Sequence, residues 1–412
     1  MARPGGEPGA PNTAVAWRVV VFLWFTYLIN YVDRQVVFSI FPPLRGELRF
    51  SEAELGLVGS VFTWVYSLCM PLTGRLADLM PRQRVVISSL ILWSLATLGT
   101  GSSGSVTTFL FWRGAMGVTE SLYVPAALGL IASLHGASTR SKALAIHATA
   151  QLAGIALGGW YGGWTAETIG WRTGFLALAA AGLVYALVLL KVLPAVLHLR
   201  TSCKPSVAAP LDVFRSRCYV ALAAAFFAFC SVLWMLYAWL PDFIHAQYGL
   251  SLAQSGFTAT FYLQAGSAAG VLAGGALADR AVKSVGAGRF YTAGLGLLLS
   301  APLAYLTLAS ASLAVLRLAA TGFGLLAGLM IANVFASAYD VIAERNYGFG
   351  AGVLNFVGGL ACGAAIFFTG LWKQSVGIVT LMAWAAVAVA ATAAILLLVT
   401  ATRFQADRRR LG

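Results

Sequence analysis

Long apolar runs recur along the whole chain, each cut by a short stretch of charged residues or of Pro and Gly. Runs of roughly 18 residues or more can cross the hydrocarbon of a bilayer as a helix. Setting the runs against the breaks predicts twelve spans, over about 16–41, 54–78, 84–101, 105–134, 141–166, 172–194, 218–246, 252–279, 289–309, 311–342, 347–372 and 376–401. The longest break, 195–217, is rich in Pro and basic residues and reads as a cytoplasmic linker between two six-helix halves, 16–194 and 218–401. Residues 1–15 read as a disordered Pro/Gly-rich tail without the layout of a signal peptide, and 402–412 as a basic tail. The fold class that follows is an all-α membrane protein with twelve transmembrane helices in two six-helix bundles.

The polar breaks also repeat. Gly74-Arg75-Leu76-Ala77-Asp78 follows the second span, and Gly275-Ala276-Leu277-Ala278-Asp279 follows the eighth, 201 residues further on. Basic residues come after each: Arg82 and Arg84 in the first case, Arg280, Lys283 and Arg289 in the second. A shift of 204 residues places Arg113 on Arg317 and Gln151 on Asn355. Nearly equal shifts at separate features point to duplication. Six spans per half make the halves pseudo-symmetric parallel repeats, an architecture of solute transporters.

Composition narrows the class. The 412 residues are 59% hydrophobic and 10% charged, with mean hydropathy +0.82, too little charge to cover a soluble surface. A net charge of +13 would suit nucleic acid, but the cations are spread over short loops, so no nucleic-acid partner is expected. With both termini in the cytoplasm, the loop cations fall on that side except Arg45, Arg49, Arg172 and Lys373, as the positive-inside rule requires. The cysteines (Cys69, Cys203, Cys218, Cys230, Cys362) and histidines (His135, His147, His198, His245) show no metal-ligand spacing, disulfide framework or catalytic clustering. No cofactor, metal or enzyme activity is expected.

A few charges stand inside the spans. An ionised group at the middle of a membrane helix costs roughly 2.5–3.5 kcal/mol on insertion scales, so a chain retains it in a polar cavity or in a pair. Asp33 and Arg34 lie in the first span, Arg113 and Glu120 in the fourth. Arg113 and Glu120 are two turns apart and share a helix face, about 10 Å apart along the axis. Adjacent Asp33 and Arg34 point in different directions. A purely structural ion-pair network is a costly way to gain stability, since apolar packing does as well. A guanidinium grips a carboxylate with two parallel hydrogen bonds, and a carboxylate in a dehydrated cavity takes up a proton more readily. Arg34 and Arg113 are therefore candidates for anion binding, and Asp33 and Glu120 for proton binding. Tyr31, Tyr66, Gln151 and Asn355 are candidate cavity-lining residues, whereas Arg317, near the outer end of its span, reads as a snorkelling side chain. Glycine runs in the fifth and eleventh spans allow close helix approach.

Twelve spans with Gly74 to Asp78, Arg82 and Arg84 between spans 2 and 3 resemble the major facilitator superfamily, over residues 16–401. Pro81 departs from the glycine common there. Ile29-Asn30-Tyr31-Val32-Asp33-Arg34, the stretch Arg113 to Glu120, and Trp239-Leu240-Pro241 resemble the anion:cation symporter group of hexuronate, galactonate, phthalate and sialin-type carriers. The same charges, with Ser121, Leu122, Tyr123 and Pro125, resemble Spinster-like lipid carriers as well. The resemblance implies the major facilitator fold and proton coupling at Asp33 and Glu120. It implies anion recognition at Arg34 and Arg113, with pocket positions at Tyr31, Tyr66, Gln151 and Asn355.

The expected function is proton-coupled symport of a small organic anion by alternating access, with carriage or export of a lysolipid as the alternative. Gly74, Asp78, Arg82, Arg84, Asp279 and Arg280 are the expected gating residues. The expected partners are an anionic small molecule, protons and the lipid bilayer, for a monomer in the inner cell membrane.

Overall fold

The computed structural model describes residues 13–193 and 210–410. The described residues form helices α1 (Thr13–Val36), α2 (Phe41–Glu47), α3 (Glu52–Leu79), α4 (Arg82–Gly101), α5 (Val106–Ser121), α6 (Tyr123–Leu134) and α7 (Ala137–Thr168), then α8 (Trp171–Val192), α9 (Arg217–Tyr248), α10 (Leu252–Ser284), α11 (Gly288–Ala309), α12 (Leu313–Tyr339), α13 (Tyr347–Val376) and α14 (Ile378–Arg409). Twelve segments are long and apolar enough to cross a membrane, with α5 and α6 together making the fourth. They coincide with the twelve predicted spans. The face on which α1 begins and α14 ends is called here the terminal face, and the opposite one the distal face.

Boundaries differ from expectation within the fourth span and at the two ends of the described chain. The fourth span is interrupted at Leu122. Pro125 has no N–H, so the carbonyl of Ser121 loses its helical partner. Thr73 Oγ1 takes that carbonyl at 3.0 Å, and Ser89 Oγ donates to Thr119 O at 2.6 Å. The break falls just after Glu120. At the chain's end, α14 continues helical to Arg409, where a tail from 402 was expected. Buried Asp407 holds this end, accepting from Cys218 N at 2.9 Å and Ser216 Oγ at 3.1 Å at the start of α9. Of the tail expected over 1–15, residues 13–15 already belong to α1, while residues 1–12 and most of the central linker lie outside the described residues.

The duplication is visible in the backbone. Gly170 before α8 and Gly377 before α14 have φ of 85° and 87°, a region that favours glycine, at the same turn of each half. The glycines of α7 sort into two rows. An added Cβ at Gly154, Gly158 or Gly162 would strike α1, near Leu28 O, Val32 O and Val36 O. At Gly159 and Gly163 it would strike α10 in the other half. On α13, Gly359, Gly363 and Gly370 likewise press on α3, while Gly358 packs on Phe226 and Cys230 of α9. In each half one glycine-rich helix serves both its own bundle and the seam between bundles.

Candidate functional site

The seam is closed at one face. On α2, Arg45 Nη1 and Nη2 meet Asp242 of α9 at 3.2 and 3.0 Å, while Arg45 Nε meets Glu52 of α3 at 2.7 Å. Lys373 of α13 meets Glu52 at 2.8 Å and Asp242 at 3.0 Å. Each carboxylate thus faces both cations. Across the seam, Glu167 at the end of α7 accepts from Leu252 N at 2.6 Å and Ala253 N at 3.3 Å, capping α10 of the other half. The hydrogen bonds and ion pairs described between the halves all come from the distal side or mid-membrane. On the terminal side a cleft of about 460 Å³ separates α3 from α13, lined by Ser67, Met70, Pro71, Gly352, Asn355 and Phe356. The distal cluster was not anticipated. Its signal was the small set of cations left off the cytoplasmic side, which holds both Arg45 and Lys373.

The four intramembrane charges do converge. Arg34 Nε donates to Glu120 Oε2 at 2.6 Å, and both side chains are buried. The guanidinium carbon of Arg34 lies over the rings of Tyr66, Tyr31 and Phe62 at 4.4, 4.8 and 5.1 Å, a cage that favours a cation. The break after Glu120 leaves this carboxylate at the helix end that faces α1. Asp33 turns the other way, toward Trp93 and Thr97 of α4. Among the described residues, neither of its oxygens meets a donor at hydrogen-bond geometry, and Arg34 Nη2, Glu120 Oε1 and both polar atoms of the Asn30 side chain also lack partners.

Arg113 differs from Arg34. It is wholly buried behind Phe62, with its guanidinium carbon 4.9 Å from that ring. Nε donates to Val58 O at 3.3 Å and Nη1 approaches Met116 Sδ at 3.2 Å. It is within electrostatic reach of Glu120 and Asp33 without an ion pair among the described residues.

The remaining candidates scatter. Tyr31 and Tyr66 belong to the Arg34 cage. Gln151 is half-buried on α7, with no side-chain hydrogen bond among the described residues. Asn355 is exposed on the cleft wall, its Nδ2 donating to Ala351 O of its own helix at 3.0 Å. Arg317 is half-buried over Tyr262 at 5.4 Å.

The repeated loops are engaged within their own halves. Arg82 donates to Gly129 O at 2.8 Å. Arg289 pairs with Asp340 at 2.8 Å and reaches exposed Asp279 at 3.9 Å. Arg84 and Arg280 are exposed, and Gly74 has open space around its Cα. The side chain of Asp78 lies outside the described residues.

Residues 23–366 match the family described as Major Facilitator Superfamily. The D-galactonate transporter of Escherichia coli O6:H1 is 25% identical over 374 residues, 83% of this chain and 85% of that one. The probable galactarate/D-glucarate transporter of Bacillus subtilis is 24% identical over 307 residues, 67% of each chain. Protein spinster homolog 1 of Xenopus tropicalis is 31% identical over 185 residues, 43% of this chain and 35% of that one. A solved structure of a bacterial homolog of the human lysosomal transporter Spinster, inward-facing and unoccupied, superposes with a TM-score of 0.76 over 98% of both chains at 20% identity, a likeness of fold. Twelve spans, a parallel repeat and a family match over most of its length make this chain a multi-pass membrane transporter, not an enzyme, and it belongs to the Major Facilitator Superfamily.

Proposed function

We propose that this transporter carries a small organic anion, a sugar acid or related carboxylate, in symport with a proton. The observation that carries the reading is the buried Arg34–Glu120 pair. A substrate carboxylate and the Glu120 carboxylate are rivals for one guanidinium. Protonating Glu120 removes its charge and frees Arg34 for the substrate. Deprotonation toward the cytoplasm re-forms the pair and expels the anion. Proton and anion therefore load together and leave together, which is symport.

Asp33 is the second proton site in this scheme. It is buried beside Trp93 and Thr97, with no ion pair among the described residues. Arg113 supplies fixed positive potential to both acids, and its donors become available to an anion once α3 and α5 shift. Tyr31 and Tyr66 hold the Arg34 plane, while Gln151 and Asn355 reach the substrate from opposite halves. The halves rock about the two glycine seams. The terminal face is cytoplasmic, and the chain sits as a monomer in the inner membrane. When the cytoplasmic side closes, the loops at Gly74–Arg84 and Asp279–Arg280 meet across the seam as gates.

Proteoliposome uptake under an imposed pH gradient tests the scheme. Glu120→Gln is expected to reduce pH-driven accumulation by on the order of tenfold or more while leaving counterflow exchange of the anion. Full gradient-driven accumulation by Glu120→Gln would remove the coupling role.

A second reading, carriage of an amphiphilic lipid-like anion, is favoured by one feature. An apolar groove of about 560 Å³ lies between α7 and α10, lined by Ala156, Leu157, Trp160, Phe257 and Phe261. Uptake of a lysophospholipid in the same assay, with none of D-galactonate, would select it.

A further inference from the structure

The first half supplies the charges, but a substrate held between two halves must also meet the second. Buried Tyr237 of α9 and Gln264 of α10 stand opposite α1, joined by a hydrogen bond from Gln264 Nε2 to Tyr237 Oη at 3.0 Å. The backbone of Tyr237 is tied to α1, because Gln35 Nε2 donates to Tyr237 O at 3.1 Å across the seam. Gln35 follows Arg34 in the chain, so this bond ties the Tyr237 backbone to the part of α1 that carries the guanidinium. Tyr31 is near both. Its ring is 4.8 Å from the Arg34 guanidinium carbon, and it is within electrostatic reach of Tyr237.

The hydrogen bonds left over define what could fit. An amide oxygen accepts, and a phenol both donates and accepts. Gln264 Oε1 is buried with no partner among the described residues. Tyr237 Oη accepts from Gln264, and among the described residues no bond uses its own O–H. The pair therefore offers one O–H donor beside one C=O acceptor, the complement of an alcohol, which accepts one hydrogen bond and donates another. Arg34 Nη2, buried and unpartnered, offers an N–H to a carboxylate. A carboxylate at one end and hydroxyls along the chain satisfy both sets. A hydrocarbon tail would leave Gln264 Oε1 buried and unpaired.

Resting on the anion reading above, we propose that Tyr237 and Gln264 are specificity-determining residues that read substrate hydroxyl groups, so that the cargo is a polyhydroxylated carboxylate. A site built to hydrogen-bond a hydroxyl rejects analogues that lack it far more strongly than an apolar pocket rejects an extra group.

Binding to the purified full-length protein, measured by calorimetry with D-galactonate, D-glucarate and the unhydroxylated six-carbon acid hexanoate, tests this. Wild type is expected to bind at least one sugar acid tens of times more tightly than hexanoate. Gln264→Leu is expected to weaken sugar-acid binding by roughly tenfold or more and to leave hexanoate unchanged. Tyr237→Phe, which keeps the ring and removes the hydroxyl, is expected to weaken sugar-acid binding several-fold without loss of thermal stability. Sugar-acid binding unchanged in both variants, or hexanoate bound as tightly as the sugar acids, overturns the inference and leaves the anion reading standing. Failure of wild type to bind any of the three acids overturns both.

Discussion

Two clusters of charge, one at the distal face and one within the membrane, are built on opposite principles. At the distal face, Glu52 and Asp242 each meet both Arg45 and Lys373. The charges balance, and the contacts run from half to half. At the centre, Asp33, Arg34, Arg113 and Glu120 share one ion pair, and each has a polar atom without a partner. All four belong to the first half. A cluster in which every charge is paired holds a shape. One that leaves Asp33 and Arg113 without an ion pair among the described residues is, on the proposed reading, prepared for a proton and an anion that come and go. The distal cluster ties one bundle to the other, and the central one is, on the proposed reading, a reader within a bundle.

Substitutions can separate these roles. The largest expected effect is at Glu120. Glu120→Gln should reduce gradient-driven accumulation by on the order of tenfold or more, with exchange retained, since the glutamine cannot carry the proton. Arg34→Lys should weaken anion binding by about 10- to 100-fold, because lysine lacks the planar fork and a hydrogen bond to a charged group is worth about 1.5–3 kcal/mol. Calorimetry on the purified protein would measure it. The distal lock should behave differently. Asp242→Asn leaves two cations facing one carboxylate, and with Arg45 partly solvated a cost of about 1–2 kcal/mol is expected. Anion affinity should change little, whereas spin labels at exposed Arg49 and Gln247 should report a roughly 5- to 30-fold gain in the distally open population. Glu167→Gln should act in the same direction more weakly, by about 0.5–1 kcal/mol, the size of one helix-capping interaction. If Asp242→Asn instead removed anion binding and left the label distances unchanged, the division between lock and reader would fail.

The fold was legible because bilayer thickness leaves little freedom. A helix must bury about 20 apolar residues, and the breaks between such runs are short and charged. Polarity alone could not show where a span is interrupted. The break after Glu120 depends on Pro125, and on Thr73 and Ser89 arriving from other helices to take the freed carbonyls. The central charges were legible for the same reason as the spans, since an ion in a membrane helix is conspicuous. Their partners were not. Helical spacing placed Arg113 with Glu120, yet the ion pair that forms joins Glu120 to Arg34 of another helix, and pairing across helices depends on packing. The distal cluster was hidden because Arg45, Glu52, Asp242 and Lys373 stand at span ends, where charges are ordinary. Tyr237 and Gln264 were hidden because a neutral polar residue within an apolar run is unremarkable until its unpaired atoms are seen.

The central claim is that proton and anion compete through one guanidinium, and anion affinity measured across pH in wild type and Glu120→Gln addresses it most directly. Wild-type affinity for a sugar acid should be high at low pH, where Glu120 is protonated and Arg34 is free. It should fall as pH rises and the Arg34–Glu120 pair re-forms. Glu120→Gln should bind tightly at all pH values with the slope gone or much reduced. An undiminished pH slope in Glu120→Gln, or wild-type binding that tightens as pH rises, would contradict the account.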